Sequence, residues 1–189
     1  ATVAKELLKR KRIPDIVTDQ TPAHNLMEYI PEGKSYKWNL WHRDKDPEEY
    51  LERSKATILK HARALMAFKK QGAVVFDYGN ELREQAEYYG LSMRKKNGTF
   101  IYPGFIEEYI RPLFCEGIGP FRWTVLSGLK KDLLAIDKAL VNAFPKKHAL
   151  KQWIEKAQHQ VNILGLPTRV CWLGYEERTK MGLIINQLV

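Results

Sequence analysis

The chain has 189 residues, 44% hydrophobic and 28% charged, with a formal net charge of +9. That composition suits one or two ordinary globular units and, with two cysteines and no low-complexity tract, excludes a disulfide framework and a disordered chain. No apolar run approaches the roughly 20 residues of a membrane span, and residues 1–10 lack the apolar core of a signal peptide.

In chain order, Val3 to Lys11 reads as a helix, and Pro14 forces an extended entry into a short strand, Asp15 to Thr18. Asp19 to Lys34 is a polar loop. Asp46-Pro47-Glu48-Glu49 is a strong helix start, with an N-cap, proline at the first position and glutamate three residues after the cap. Leu51, Ile58, Ala62, Leu65 and Met66 then mark one apolar face, and Gly72 supplies the stop. Ala73 to Phe76 is a short buried-type strand, Asp77-Tyr78-Gly79-Asn80 breaks it, and a helix runs from Glu81 to about Tyr89. This helix–strand–loop–helix rhythm predicts an α/β fold. Ligands of open α/β sheets sit beyond the strand C-termini, where the loops Asp19 to His24 and Asp77 to Asn80 fall.

Lys95-Lys96-Asn97-Gly98 is a surface turn, and Phe105 to Arg111 reads as a helix ended by Pro112. Arg111 to Trp123 shows neither a strand's alternation nor a helix's period. No packing requirement accounts for it, and its prolines and glycines predict a loop that presents Arg122 to a ligand; a tight structural turn is the alternative. Helices follow near Lys130 to Phe144 and His148 to Ile163, then a strand Arg169 to Leu173 and a last helix from about Glu177. The chain opens in mid-helix and closes within an apolar helical pattern, so it is expected to be an internal piece of a longer protein. The basic residues come in small groups at helix ends and in loops, as a solvated surface does, with no nucleic-acid motif among them.

No Walker loop, dinucleotide fingerprint or hydrolase elbow is present, and the histidines and cysteines lack metal-ligand spacing. Gln20-Thr21-Pro22-Ala23-His24 offers an amide, a hydroxyl, a fixed backbone and an imidazole suited to a nucleotide, or else a helix cap. Tyr78 could stack on a flat ligand, or Asp77 to Asn80 could be turn chemistry alone. In a strand, Arg169 and Cys171 share a face. A guanidinium there favours the thiolate; packing of a free cysteine is the alternative, and Cys115 is weighed the same way.

At these same residues the chain resembles the urocanase family. The matching strings are Ile13 to His24, Val75 to Asn80, Tyr102 to Ser127 (with Arg-Pro-Leu-Phe-Cys-Glu-Gly-Ile-Gly-Pro-Phe-Arg-Trp) and Gly165 to Asn186 (with Gly-Leu-Pro-Thr-Arg-Val-Cys-Trp-Leu-Gly). They stand in the family's order at nearly its spacing. The resemblance implies the later part of a Rossmann-like NAD-binding domain, residues 1–111, joined to the start of the carboxy-terminal α/β domain, residues 112–189. It implies a hydro-lyase, urocanate hydratase of histidine breakdown, working as a cytoplasmic homodimer with no membrane or nucleic-acid partner. NAD is bound tightly in that family and acts as an electrophile rather than a hydride carrier, so that water adds to urocanate and imidazolone propionate forms.

Carried over by position, Gln20, Thr21, Pro22, Ala23 and His24, then Tyr29 and Ile30, then Tyr78, are the cofactor contacts. Cys171 matches the family's active-site thiol, which leaves Cys115 a structural thiol, and Arg122 matches an arginine expected to hold the substrate carboxylate. Pro22 replaces a serine, the stretch Asn25 to Met27 departs from the family pattern, and Glu81 stands where a second asparagine is usual. Residues 1–189 alone are expected to be inactive, because part of the cofactor site lies outside them. A non-catalytic NAD-binding homologue and a basic nucleic-acid-binding domain are the rival expectations.

Overall fold

The computed structural model describes residues 1–160 and 165–188. The chain divides into two units, Ala1–Ile110 and Arg111–Val189.

The first unit is built around one long helix. Helix α1 (Thr2–Lys9) leads through Pro14 to strand β1 (Ile16–Val17), α2 covers Tyr36–Lys45, and α3 covers Pro47–Lys70. The start of α3 follows its sequence: Asp46 accepts from the Glu49 N–H at 3.0 Å, and Pro47 takes the position where a missing N–H costs nothing. Its apolar stripe, Ile58, Ala62, Leu65 and Phe68, is at most 2% exposed, and each large side chain so buried contributes about 1.5–3 kcal/mol. Strand β2 (Val74–Val75) follows, paired parallel to β1 with Ile16 opposite Val74 and Val17 opposite Val75. A parallel pair needs a crossover, and α2 with α3 is that crossover. Helix α4 (Leu82–Tyr88) closes the core with Leu82 and Ala86. Buried Arg83 lies over the Phe100 ring, 4.3 Å from its centroid, and donates to the Tyr102 carbonyl at 3.2 Å.

Helix α2 was not expected. Its cap was readable, since Ser35 Oγ accepts from the Trp38 N–H at 3.1 Å. Its side chains, however, are mostly polar or aromatic and lack a clear stripe.

The second unit is an antiparallel pair backed by helices. After α5 (Arg111–Cys115), strand β3 (Gly119–Thr124) pairs with β4 (Thr168–Leu173) from Gly119 opposite Leu173 to Thr124 opposite Thr168. Helices α6 (Lys130–Ala143), α7 (His148–Gln160) and α8 (Tyr175–Leu188) complete it. The expected end of α7, through Ile163, falls outside the described residues. Phe121, Trp123, Cys171 and Leu173 pack with Leu133, Leu140, Ile154 and Met181.

Two expectations are corrected here. Pro112 does not end a helix: the π-helical turn Ile106–Ile110 runs directly into α5, so the proline lies inside a continuous helical segment whose widened turn precedes it. The string Arg111 to Trp123 does have a packing explanation. It is half helix and half strand, and the turn between is fastened by Arg178, whose guanidinium donates to the carbonyls of Gly117 (3.0 Å) and Leu173 (2.7 Å). Gly117 takes a left-handed φ of +73°, and a side chain at Gly119 would meet that guanidinium at 2.9 Å. Gly119 makes room for Arg178, and Gly117 supplies the left-handed turn.

A buried ion pair ties this unit together. Arg169 of β4 donates to Asp137 of α6 at 2.9 and 3.3 Å, with Asp137 fully buried. Removing one partner leaves the other charged and desolvated. Asp137→Asn is expected to cost about 3 kcal/mol in urea denaturation, whereas Lys151→Ala, which removes an exposed pair with Glu155, is expected to leave the midpoint unchanged.

Candidate functional site

The parallel pairing of β1 with β2 places the segments after them, residues 19–24 and 77–80, side by side. Thr18 Oγ donates to the Phe76 carbonyl at 2.9 Å, continuing the contact past the strands. Asn80 then reaches back to the first loop. Its Nδ2 donates to both carboxylate oxygens of Asp19, 3.0 Å to Oδ2, and to the Thr21 carbonyl at 2.8 Å. Thr21 Oγ1 donates to Asp19 Oδ1 at 3.0 Å. Burial raises the Asp19 carboxyl above its ordinary range, opposed by these hydrogen bonds. Asn80 is 8% exposed, and its Oδ1 is a buried acceptor with no hydrogen-bond partner.

The turn that aims Asn80 is tight. Asp77 Oδ1 accepts from the Gly79 N–H at 2.8 Å, Gly79 sits at φ +89° and Glu81 at +65°. Asparagine tolerates that left-handed geometry better than glutamate, so Glu81 holds a backbone conformation unfavourable to its type. Tyr78 is 46% exposed and stacks on Phe105 with centroids 5.0 Å apart, so its ring is open to solvent on this rim.

The other expected cofactor residues divide into exposed and buried. Gln20, His24 and Ile30 are exposed, while Thr21 and Pro22 are half-buried. Ala23 is fully buried, and its N–H donates to the Thr21 carbonyl at 2.8 Å. Tyr29 is 2% exposed with every polar atom engaged within the unit. Its N–H donates to the Asn25 carbonyl, its carbonyl accepts from Tyr50 and Ser54, and its hydroxyl lies 3.0 Å from His61 Nδ1. Burial pushes the His61 imidazole down to about 4, so it stays neutral near pH 7. Nothing in the composition pointed to Asp19, Asn80 and His61 as a supporting frame; the Asp-Tyr-Gly-Asn turn was the one available sign of Asn80.

In the second unit, strand alternation separates the two expected catalytic residues. Arg122, Pro120 and Thr124 share the exposed face of β3 with Val170 and Trp172 of β4. Cys171 lies on the opposite face, 3% exposed, beside Phe121. Among the described residues Arg122 pairs with no carboxylate and donates no side-chain hydrogen bond. Trp172 on the same face stacks with Phe114, centroids 6.0 Å apart.

The expected activation of Cys171 by Arg169 does not occur. The two share a face, but the guanidinium is engaged by Asp137. Burial, with the Asp137 charge added, pushes the thiol up to about 12. Cys115, expected to be structural, is exposed. A thiol-specific disulfide reagent at pH 8 is therefore expected to label one thiol quickly, with Cys115→Ser abolishing that phase and Cys171 reacting only on unfolding. Fast labelling of Cys171 in the folded protein would contradict this assignment.

Among the described residues no cluster of His, Cys, Asp and Glu is arranged to hold a metal ion, and no helix is long and apolar enough to cross a membrane. Comparison with known families finds two matches in succession. The Urocanase Rossmann-like domain matches residues 1–109, and the Urocanase C-terminal domain matches residues 112–189.

Proposed function

The chain belongs to the urocanase family, and from that premise we propose that it contributes the cofactor rim and the substrate anchor of a urocanate hydratase. Its fold is a Rossmann-like α/β domain followed by the family's C-terminal domain, and its general chemistry is that of a hydro-lyase acting on urocanate. The finer reading is that NAD is held tightly and water is added to urocanate to give imidazolone propionate. A cytoplasmic homodimer is part of that reading.

One observation carries the cofactor assignment: two loops beyond the C-termini of paired parallel strands are fastened to each other and leave a donor-seeking group between them. The residues present fit a dinucleotide. Asn80 Oδ1 is a buried acceptor awaiting a hydroxyl or amide donor, Gln20 and His24 offer exposed polar groups, and Tyr78 offers a ring face. Pro22 brings no N–H, so any anion at this loop must draw its donors from the neighbouring backbone and side chains.

When bound, oxidised NAD supplies an electron-poor cationic ring that draws electrons from the substrate's imidazole. The chain's own contribution is placement. Asp19, Thr21 and Asn80 hold the loop, and Tyr29 with His61 is buried within the unit. Arg122 offers a planar guanidinium, unpaired among the described residues and matched to a carboxylate, where two parallel hydrogen bonds fix orientation as well as charge. For Cys171 the geometry supports a neutral thiol packed behind the strand pair, in place of a thiolate nucleophile.

Full-length protein is expected to deplete urocanate ultraviolet absorbance without added NAD and to release NAD on denaturation. Activity from protein that carries no NAD would overturn the mechanism, while retained NAD without turnover would identify a non-catalytic homologue. Arg122→Ala is expected to raise the KM for urocanate on the order of tenfold to a hundredfold, the scale of a lost charged hydrogen bond. Arg122→Lys should restore part of it, and unchanged KM would remove Arg122 from the carboxylate site.

A further inference from the structure

Asn80 makes the contacts that join segments far apart in sequence: its partners lie 61 and 59 residues away. Both partners, the Asp19 carboxylate and the Thr21 carbonyl, are acceptors only. The amide must therefore present its NH2 group to them, and its orientation is determined by chemistry. Aspartate here would set two carboxylates against each other, alanine and serine would not reach, and glutamine would be one methylene too long for the tight turn.

From this geometry we infer that Asn80 is a positioning residue, a latch that holds loop 19–24 against turn 77–80 in the arrangement that receives the cofactor. The inference rests on the NAD assignment for what the loop receives, but the latch itself is a property of this chain. Three features support it. The loop's internal bonds are short-range, Ala23 N–H to Thr21 O at 2.8 Å and Asn25 N–H to Pro22 O at 3.0 Å, and do not tie it to the sheet. The turn bearing Asn80 includes Glu81 in a left-handed conformation that an ordinary residue leaves unless held. The Thr21 carbonyl, bonded by both Asn80 Nδ2 and the Ala23 N–H, makes the latch and the loop's own turn one unit.

The experiment uses the intact protein with two variants and two readouts, amide hydrogen exchange of residues 21–25 and NAD affinity. Asn80→Ala is expected to speed exchange across residues 21–25 while leaving the α3 amides protected, and to weaken NAD on the order of tenfold or more, the scale of a buried hydrogen bond to a charged group. Asn80→Asp supplies a pH signature that general loosening would not. Two adjacent carboxylates raise one pKa, so below that value they share a proton and the bridge re-forms, whereas above it both are charged and repel. NAD affinity and loop protection in Asn80→Asp should thus be low near pH 8 and recover towards pH 5, with Asn80→Ala weak throughout. The titratable groups that sense Asp19 are Asp77, the Ala1 amine and the Tyr29 and Tyr102 hydroxyls, all unaltered by these variants.

Unchanged exchange and affinity in Asn80→Ala would overturn the latch, as would an Asn80→Asp variant whose loop protection does not respond to pH. Wild-type protein that takes up no NAD, while Asn80→Ala still frees the loop, would uphold the latch and overturn the cofactor reading alone.

Discussion

The two-residue parallel pairing of β1 with β2 is the constraint on which the proposed cofactor site depends. Two residues of ladder are far too little to hold a sheet on their own. The pairing persists because α3, lying between the strands in sequence, buries Ile58, Ala62, Leu65 and Phe68 in a core shared with Val75. The helix supplies the apolar burial, the strands supply direction, and the loops beyond them inherit a common edge. The hydrogen bonds of Asn80 then turn that edge into a defined arrangement. Without the core, the Asp19–Asn80 contact would have to close a loop of some sixty residues unaided, against the associated chain entropy.

The second unit follows a different rule. Its antiparallel pair has one packed and one exposed face, and the alternation of side chains assigns each residue to one of them. Arg122 is outward and available; Cys171 is inward, neutral and beside an ion pair that keeps Arg169 occupied. The buried Asp137–Arg169 pair therefore has an electrostatic consequence as well as a structural one. It removes the cation that would have stabilised a thiolate and leaves a negative charge near the sulfur.

Local chemistry made much of the fold legible. Asp46 and Pro47 announced the start of α3, Gly72 its end, and the Lys95 to Gly98 turn was readable from its residues. Both strands of the first unit were expected a residue or so longer at each end than they are. Strand β3 was missed because its evidence is non-local: Gly119 to Thr124 becomes a strand by pairing with Thr168 to Leu173, and its own pattern is obscured by Pro120 and by Gly119, which leaves room for Arg178.

The cofactor candidates show the same division. The sequence by itself determined the family, the start and stop of α3 and the residue types at the strand ends, because caps, turns and motif strings are short-range and survive without a partner. Only the tertiary structure decided which of those residues face outward. It buried Tyr29 and left Tyr78 exposed, and it set Arg122 and Cys171 on opposite faces of one strand pair. It also revealed Asn80 as the link between Asp19 and Thr21. Burial and long-range hydrogen bonds depend on segments separated by sixty residues coming together, and no local pattern encodes that meeting.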